Sequence, residues 1–249
     1  MYLLLSGEGS GDIGICNSGF QQCDSEQFKY GPMSIIVDQM VEANIGYEFS
    51  HITSHCVSFV SEKYLADNKP PRNKKSISLR GKKKPAETKY FYTNARALAI
   101  AAKQKAEDID DKVIAVLFRD SDGTASAGRG LWQDKWNSMI KGFEKEDFEF
   151  GVPMIPKPKS EAWLLCAVKD NPYLSCGRLE NESGNDNAPN PLKSQLSDAL
   201  NGNSSTVELN ELLNNKEIDV HQIEMSSFNM FKERLGHVVN LITAVKPEL

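Results

Sequence analysis

The sequence of 249 residues predicts an α/β fold in which helices cover both faces of a mostly parallel β-sheet. Two patterns predict it. Short apolar runs alternate with segments whose apolar residues recur every three or four positions, the order of strands and helices in a doubly wound sheet. The run Val113–Phe118 is apolar throughout, as is typical of a strand covered on both faces. With 40% hydrophobic and 25% charged residues, the composition supplies a sizeable core and excludes wholesale disorder.

Strands and helices alternate through roughly the first 170 residues. The first helix has the clearest boundaries, because Pro32 suits a first helical turn and Gly46 suits the position after a last one. Ser160 is expected to cap the fourth helix, since a serine side chain accepts a hydrogen bond from a free backbone N–H at a helix start. The predicted strands cover residues 1–6, 47–53, 113–118 and 148–155, and the predicted helices cover 32–45, 93–108, 131–144 and a stretch from 160.

The chain is predicted to consist of an α/β core, residues 1–170, and a C-terminal helical appendage, residues 171–249. The amino-acid composition changes at this boundary: the residues up to Pro191 are rich in Asn, Gly, Pro and Ser, which is typical of a loop. Helical periodicity then returns in three stretches. We expect helices at residues 192–200, 207–214 and 228–244.

Positive charge is concentrated in one segment. The whole chain carries a net charge of −5, whereas residues 63–89 hold ten basic and two acidic residues, a net +8 that leaves −13 for the remainder. A basic island in an acidic protein suits contacts with phosphate groups. Its prolines and its glycine are equally compatible with a solvated loop. The candidate nucleic-acid-binding residues are Lys74, Lys75, Arg80, Lys82, Lys83 and Lys84.

The cysteines and the apolar runs bear on where the protein works. The five cysteines are odd in number, scattered and without a CxxC pair, which predicts separate buried thiols rather than a disulfide framework or a structural zinc site. Such cysteines favour a reducing cytoplasm. The longest apolar runs are too short to cross a bilayer, and the first residues lack the basic flank of a signal peptide. We therefore expect a cytoplasmic protein that does not contact membranes.

Acidic side chains follow three of the predicted strands. Glu8 and Asp12 follow the first strand, Asp120 and Asp122 the third, and Glu161 lies in the first helical turn after the fourth. Ligands of open parallel sheets bind at the edge where the carboxyl ends of the strands meet. Carboxylates gathered there repel one another unless a hard cation such as Mg²⁺ or Mn²⁺ compensates their charge. Each acid alone also suits a turn or a helix start, so it is their joint placement that predicts a metal site.

Three segments resemble a known family. The segment Glu8–Asp12, after an apolar strand, resembles the Glu-Gly-x-x-Asp opening of the TOPRIM fold, which topoisomerases, bacterial primases and OLD-type nucleases share. The segment Phe118–Asp122 resembles the Asp-x-Asp motif of that fold. The segment Pro158–Leu165 is similar to an element with serine, glutamate, tryptophan and two leucines in small TOPRIM-like proteins of mobile and anti-phage defence loci. The resemblance covers residues 2–170 and implies a TOPRIM-like, Rossmann-like sheet in which residues 53–110 are an insertion.

The resemblance implies a divalent-metal-dependent nuclease that hydrolyses phosphodiester bonds of nucleic acids, with DNA favoured over RNA. OLD-type nucleases work beside an ATPase domain, and this sequence has no P-loop, so a separate ATPase partner in a defence system is implied. A toxic nuclease needs restraint, which favours a partner protein or a homo-oligomer. The implied roles are metal binding by Asp120, Asp122 and Asp12, metal binding or general acid/base chemistry by Glu8, completion of a second metal position by Glu161, and compensation of phosphate charge by Lys159 or Arg119.

Other interpretations remain open. The segment from Val113 to Thr124 also resembles the nucleophile motif of haloacid-dehalogenase-type phosphatases, in which Asp120 would be phosphorylated and Asp122 would be the acid/base. That interpretation needs a late pair of acids after another strand, which residues beyond 170 do not offer, and it leaves Glu8 unexplained. The segment Gly9–Gly14 fits the G-x-G-x-x-G nucleotide-binding pattern, but the next helix begins only near residue 32. A TOPRIM module that binds nucleic acid or a partner without cutting is the third alternative.

Overall fold

A mostly parallel β-sheet is the centre of the fold. A computed structural model describes residues 1–71, 86–121 and 132–244. Its strands are β1 (Tyr2–Gly7), β2 (Gly14–Cys16), β3 (Gln22–Asp24), β4 (Phe28–Tyr30), β5 (Val57–Ser61), β6 (Val113–Phe118) and β7 (Gly151–Met154). The main sheet has the order β3-β5-β1-β6-β7, in which β3 runs antiparallel to β5 and the other neighbours are parallel. Strands β2 and β4 form a separate antiparallel pair.

Helices cover both faces of the main sheet. They are α1 (Pro32–Ile45), α2 (Glu62–Asp67), α3 (Ala86–Ile109), α4 (Trp132–Lys145), α5 (Ser160–Val168), α6 (Leu192–Ala199), α7 (Thr206–Asn214) and α8 (Ser226–Ala244). Because side chains alternate along a strand, β1 places Leu3 and Leu5 in one apolar cluster with α1, α5 and α8, and Leu4 in a second cluster with α3 and α4. The predicted α/β architecture with helices on both faces is therefore confirmed.

The order of the strands creates a crevice at the carboxyl edge of the sheet. The chain passes from β1 through α1 to β5 on one side, and then through α3 to β6 on the other side of β1. Helices α1 and α4 lie on opposite faces, so the connections that leave the carboxyl ends of β1 and β6 diverge. The crevice between the ends of β1 and β6 is the position at which doubly wound sheets bind their ligands.

Most of the predicted elements are confirmed, including the end of α1 at Gly46, which adopts the left-handed conformation with φ of 77°. The strand predicted at residues 47–53 is wrong, because the carboxylate of Asp38 accepts hydrogen bonds from the Ser50 hydroxyl at 2.6 Å and the His51 backbone N–H at 2.7 Å. These bonds fix the segment as turns. The strand follows instead at Val57–Ser61.

The prediction of five separate thiols is wrong for four of them. Cys16 is bonded to Cys23, and Cys166 to Cys176. Strands β2 and β3 bring the Cα atoms of the first pair to 5.8 Å, and the short 3₁₀ helix after α5 brings those of the second pair to 5.3 Å. Pairs seven and ten residues apart carry no short-spacing signature, so the sequence pattern did not indicate them. Cys56 is a free, half-buried cysteine.

The C-terminal helices share the core of the preceding segment. The indole ring of Trp163 in α5 packs edge-on against Phe228 and stacks on Phe231, both in α8. Its Nε1–H donates a hydrogen bond of 2.9 Å to the hydroxyl of Ser227. The boundary at residue 170 stays a prediction. Among the helices of the three described ranges, none is long and apolar enough to span a membrane.

Candidate active site

The register of the sheet places three charged residues side by side at its carboxyl edge. Gly7, the last residue of β1, is paired with Ser61 of β5 and with Phe118 of β6. The residues that follow these three are Glu8, Glu62 and Arg119. Since neighbouring strands lie about 4.8 Å apart, their side chains emerge close together. The sequence prediction included Glu8 and Arg119 but missed Glu62, because it placed β5 too early in the chain.

Ser160 joins the acids that follow β1 and β6. Its backbone N–H donates to Asp120 Oδ1 at 2.9 Å, and its hydroxyl donates to Asp12 Oδ1 at 2.6 Å. The same hydroxyl lies 3.4 Å from Glu161 Oε2. Three carboxylates from three separate segments therefore meet at one fully buried serine. The predicted capping role of Ser160 is wrong, because Lys159 occupies the capping position and the serine hydroxyl is directed to Asp12 instead.

The glycine-rich loop after β1 is built closely around Asp12. Gly9 has φ of 82°, a left-handed conformation that favours glycine, and a side chain there would collide with the Asp12 carboxylate. A side chain on Gly31 would collide with the backbone carbonyl of Asp12. Residues 9–13 form one helical turn that leads into β2, so no long helix begins in the G-x-G-x-x-G segment. Thr206 of α7 donates a 3.1 Å hydrogen bond to the Gly11 carbonyl, which brings the C-terminal region to the loop.

Glu161 experiences the negative charge of this cluster. Burial raises the pKa of its carboxyl above the ordinary value, and the nearby carboxylate of Asp12 raises it further. A backbone hydrogen bond and the ammonium group of Lys159 oppose the shift. The Lys159 ammonium lies 2.8 Å from Asp186 in the loop after α5. Ionisation of Glu161 therefore costs free energy in the folded chain, and a positive charge bound nearby would reduce that cost.

Arg119 contacts the two glutamates that follow β1 and β5 at this edge. Its guanidinium lies 3.1 Å from Glu8 Oε2 and 2.7 Å from Glu62 Oε1. It also lies over the ring of Tyr90, with 4.0 Å between Cζ and the ring centroid. The cation predicted to face phosphate is thus held by two carboxylates and an aromatic ring.

Lys135 is a buried cation beneath the end of β6. Only 4% of it is exposed, and its ammonium donates a hydrogen bond to the carbonyl of Ser121, the residue after Asp120. Ser121 in turn donates through its hydroxyl to Pro158 at 3.1 Å, which ties the end of β6 to the segment before α5. Sequence reasoning missed Lys135, although its spacing from Trp132 and Met139 places it on the apolar stripe of α4.

Several predicted site residues lie outside the described ranges. They are Asp122 and the basic residues Lys74, Lys75, Arg80, Lys82, Lys83 and Lys84. The other predicted residues, Glu8, Asp12, Asp120, Lys159 and Glu161, lie at the carboxyl edge of the sheet. Within residues 1–71, 86–121 and 132–244, no three Asp, Glu, His or Cys side chains form a group arranged to hold a metal ion.

Comparison with known proteins gives no match to a family model, to a curated protein or to a solved structure. The mostly parallel sheet with helices on both faces is consistent with a Rossmann-like fold. The TOPRIM resemblance stays a hypothesis from sequence.

Proposed function

We propose that the protein is a divalent-metal-dependent nuclease that hydrolyses phosphodiester bonds in nucleic acids. The observation that carries the proposal is the meeting of Asp12, Asp120 and Glu161 at Ser160, beside the Glu8–Arg119 pair. Glu8 and Asp12 are separated in sequence by more than a hundred residues from Arg119, Asp120 and Glu161, yet all lie at the crevice where doubly wound sheets bind ligands. Acidic residues that served only to contact solvent would have no reason to meet at one position.

The type of donor atom, rather than its arrangement in the described ranges, fits a hard cation. Asp12, Asp120 and Glu161 offer carboxylate oxygens, the ligands that Mg²⁺ and Mn²⁺ prefer. The pKa of Glu161 is raised mainly by burial and further by the carboxylate of Asp12. We assign metal binding to these three residues and to Asp122. When bound, the metal supplies a coordinated water of lowered pKa and stabilises the leaving oxygen of the phosphodiester.

The roles that we propose for Glu8, Arg119 and Lys159 do not depend on where the metal ion binds. We assign general acid/base chemistry to the carboxylate of Glu8. The guanidinium of Arg119, 3.1 Å away, is its counter-charge. Lys159 lies next to Glu161 and supplies positive charge for a substrate phosphate. By the same sequence resemblance, we propose DNA as the preferred substrate, a defence role beside a separate ATPase, and restraint by that partner or by a homo-oligomer.

Two observations favour this proposal over a phosphatase that uses Asp120 as a nucleophile. The end of β1 contributes Glu8 and Asp12 to the same edge, whereas the phosphatase interpretation assigns no role to Glu8. The carboxylate of Asp120 accepts the Ser160 backbone N–H, which orients it as part of a group of acids. The phosphatase remains distinguishable by experiment, because an aspartyl-phosphate analogue formed with beryllium fluoride would be lost in Asp120→Asn and kept in Glu8→Gln.

The decisive experiment incubates the purified chain with plasmid DNA and with RNA in Mg²⁺, Mn²⁺ or EDTA, alone and with the product of any ATPase gene that is encoded next to it. We expect metal-dependent nicking that is lost in Asp120→Asn and Glu161→Gln. Glu107→Gln is the matched control, because Glu107 is exposed near the end of α3 that leads to the opposite edge of the sheet. Cleavage that persists in Asp120→Asn would reject the assignment of nuclease activity to this site, and no cleavage under any condition would favour the non-cutting binding module.

A further inference from the structure

Arg119 is enclosed by protein partners on several sides. One nitrogen of its guanidinium contacts Glu8, another contacts Glu62, and its flat face lies over Tyr90. The ring of Phe91 lies 5.5 Å from Cζ. The side chain is 25% exposed. A guanidinium donates in a rigid planar fork, so two carboxylates and a ring together fix both its position and its orientation.

The partners of Arg119 are themselves held in place. Glu62 is the first residue of α2, whose start is capped by the Ser61 hydroxyl, which accepts the Tyr64 N–H at 3.2 Å. Burial raises the pKa of Tyr90; a hydrogen bond from Asn94 opposes this rise, and the Glu62 carboxylate adds to it. The protonated phenol donates a hydrogen bond to the Glu62 carboxylate. A continuous set of hydrogen bonds runs from α3 through Tyr90, Glu62 and Arg119 to Glu8.

We propose that Arg119 and Glu62 are positioning residues that hold Glu8 at the reaction edge, and that Arg119 does not bind the substrate phosphate. This inference rests on the proposed nuclease function. Glu8 follows β1, and Glu62 and Arg119 follow the two strands that flank β1 in the sheet. The network thus transfers the rigidity of β5 and β6 to the carboxylate that follows β1.

The two possible roles of Arg119 predict opposite effects for Glu62→Gln. If Arg119 bound phosphate, loss of the Glu62 charge would release the guanidinium, tighten nucleic-acid binding and lower KM. In the positioning role, the same substitution loosens Arg119 and Glu8, so kcat falls about 10- to 100-fold while KM stays unchanged. Arg119→Lys keeps the charge but loses the fork, and it is expected to lower kcat similarly. The double variant should be little worse than either single one, because both act through one network.

The experiment combines kinetics with a measurement that does not require cleavage. Steady-state kcat and KM are measured with an oligonucleotide duplex in Mg²⁺ for the wild type, Glu62→Gln, Arg119→Lys and the exposed control Glu107→Gln. In parallel, ¹⁵N spectra of the arginine side chains report whether rotation of the Arg119 guanidinium is slow enough to give separate Nη signals.

The outcomes separate this inference from the proposed function. We expect separate Nη signals in the wild type and in Glu107→Gln, and their collapse in Glu62→Gln together with a lower kcat. Unchanged signals in Glu62→Gln overturn the inference whether or not the chain cuts nucleic acid. A lower KM with undiminished kcat in Glu62→Gln also overturns it. Absence of cleavage by the wild type removes the proposed function, and the spectra still decide whether Glu62 holds Arg119.

Discussion

Substitution of Ser160 by alanine tests whether this serine stabilises the group of acids that meets around it. The change removes the hydroxyl that donates to Asp12 at 2.6 Å but keeps the backbone N–H that donates to Asp120. A hydrogen bond to a charged acceptor contributes about 1.5–3 kcal/mol, and this one joins a fully buried serine to a partly buried carboxylate. We expect a loss of about 2 kcal/mol in the free energy of unfolding. For a chain of this length, that loss lowers Tm by about 4–8 °C.

The assay is chemical and thermal unfolding followed by circular dichroism at pH 7. Ser194→Ala is the matched control, because Ser194 is exposed near the start of α6 and reports only the helix propensity of the substitution. We expect the free energy of unfolding of Ser194→Ala to equal or slightly exceed that of the wild type, and that of Ser160→Ala to be well below it. If Ser160→Ala unfolded with the same free energy as Ser194→Ala, the serine would not stabilise the acid cluster and the reasoning would be refuted.

Three further predictions concern the same region. The pKa of Glu161 is raised in the folded chain, so the folded state binds more protons than the unfolded state between pH 4.5, its ordinary pKa, and the raised value, and the free energy of unfolding falls as pH rises through that window. Glu161→Gln should therefore unfold at a higher temperature than the wild type at pH 7. The difference should vanish below pH 4.5 in a pH series of thermal scans. Gly31→Ala places a methyl group against the carbonyl of Asp12 and should destabilise the chain by about 1–3 kcal/mol in urea unfolding, whereas no measurable change would contradict the close packing of that loop. Trp163→Phe removes the hydrogen bond to Ser227 and should cost about 2 kcal/mol in the same assay, and an unaffected midpoint would mean that this bond adds nothing to the packing of α8.

The sequence predicted those parts of the fold that depend on local patterns. Strand Val113–Phe118 and helix α1 have boundaries set by an apolar run and by Pro32 and Gly46, and both are confirmed. The second strand was misplaced because a long-range contact, the bonding of the Asp38 carboxylate to residues 50 and 51, overrides the local preference of that segment. Both disulfides depend on tertiary contacts that sequence spacing does not reveal.

The same distinction holds at the candidate site. Acids at strand ends were identifiable, because parallel strands align their carboxyl ends and the strand order then brings Glu8 and Asp120 to one edge. The role of Ser160 was not identifiable, since a serine at a helix start ordinarily caps the helix, and here its hydroxyl is turned to a residue 148 positions away. Glu62 was missed together with its strand.

Titration of the chain with Mn²⁺, followed by electron paramagnetic resonance of the free ion, tests most directly whether distant acids form one metal site. We predict that the wild type binds Mn²⁺ and that Asp12→Asn, Asp120→Asn and Glu161→Gln each weaken binding by about tenfold or more, whereas Glu107→Gln does not. Equal Mn²⁺ binding by all of these proteins, or none by the wild type, would contradict the proposed metal-dependent function.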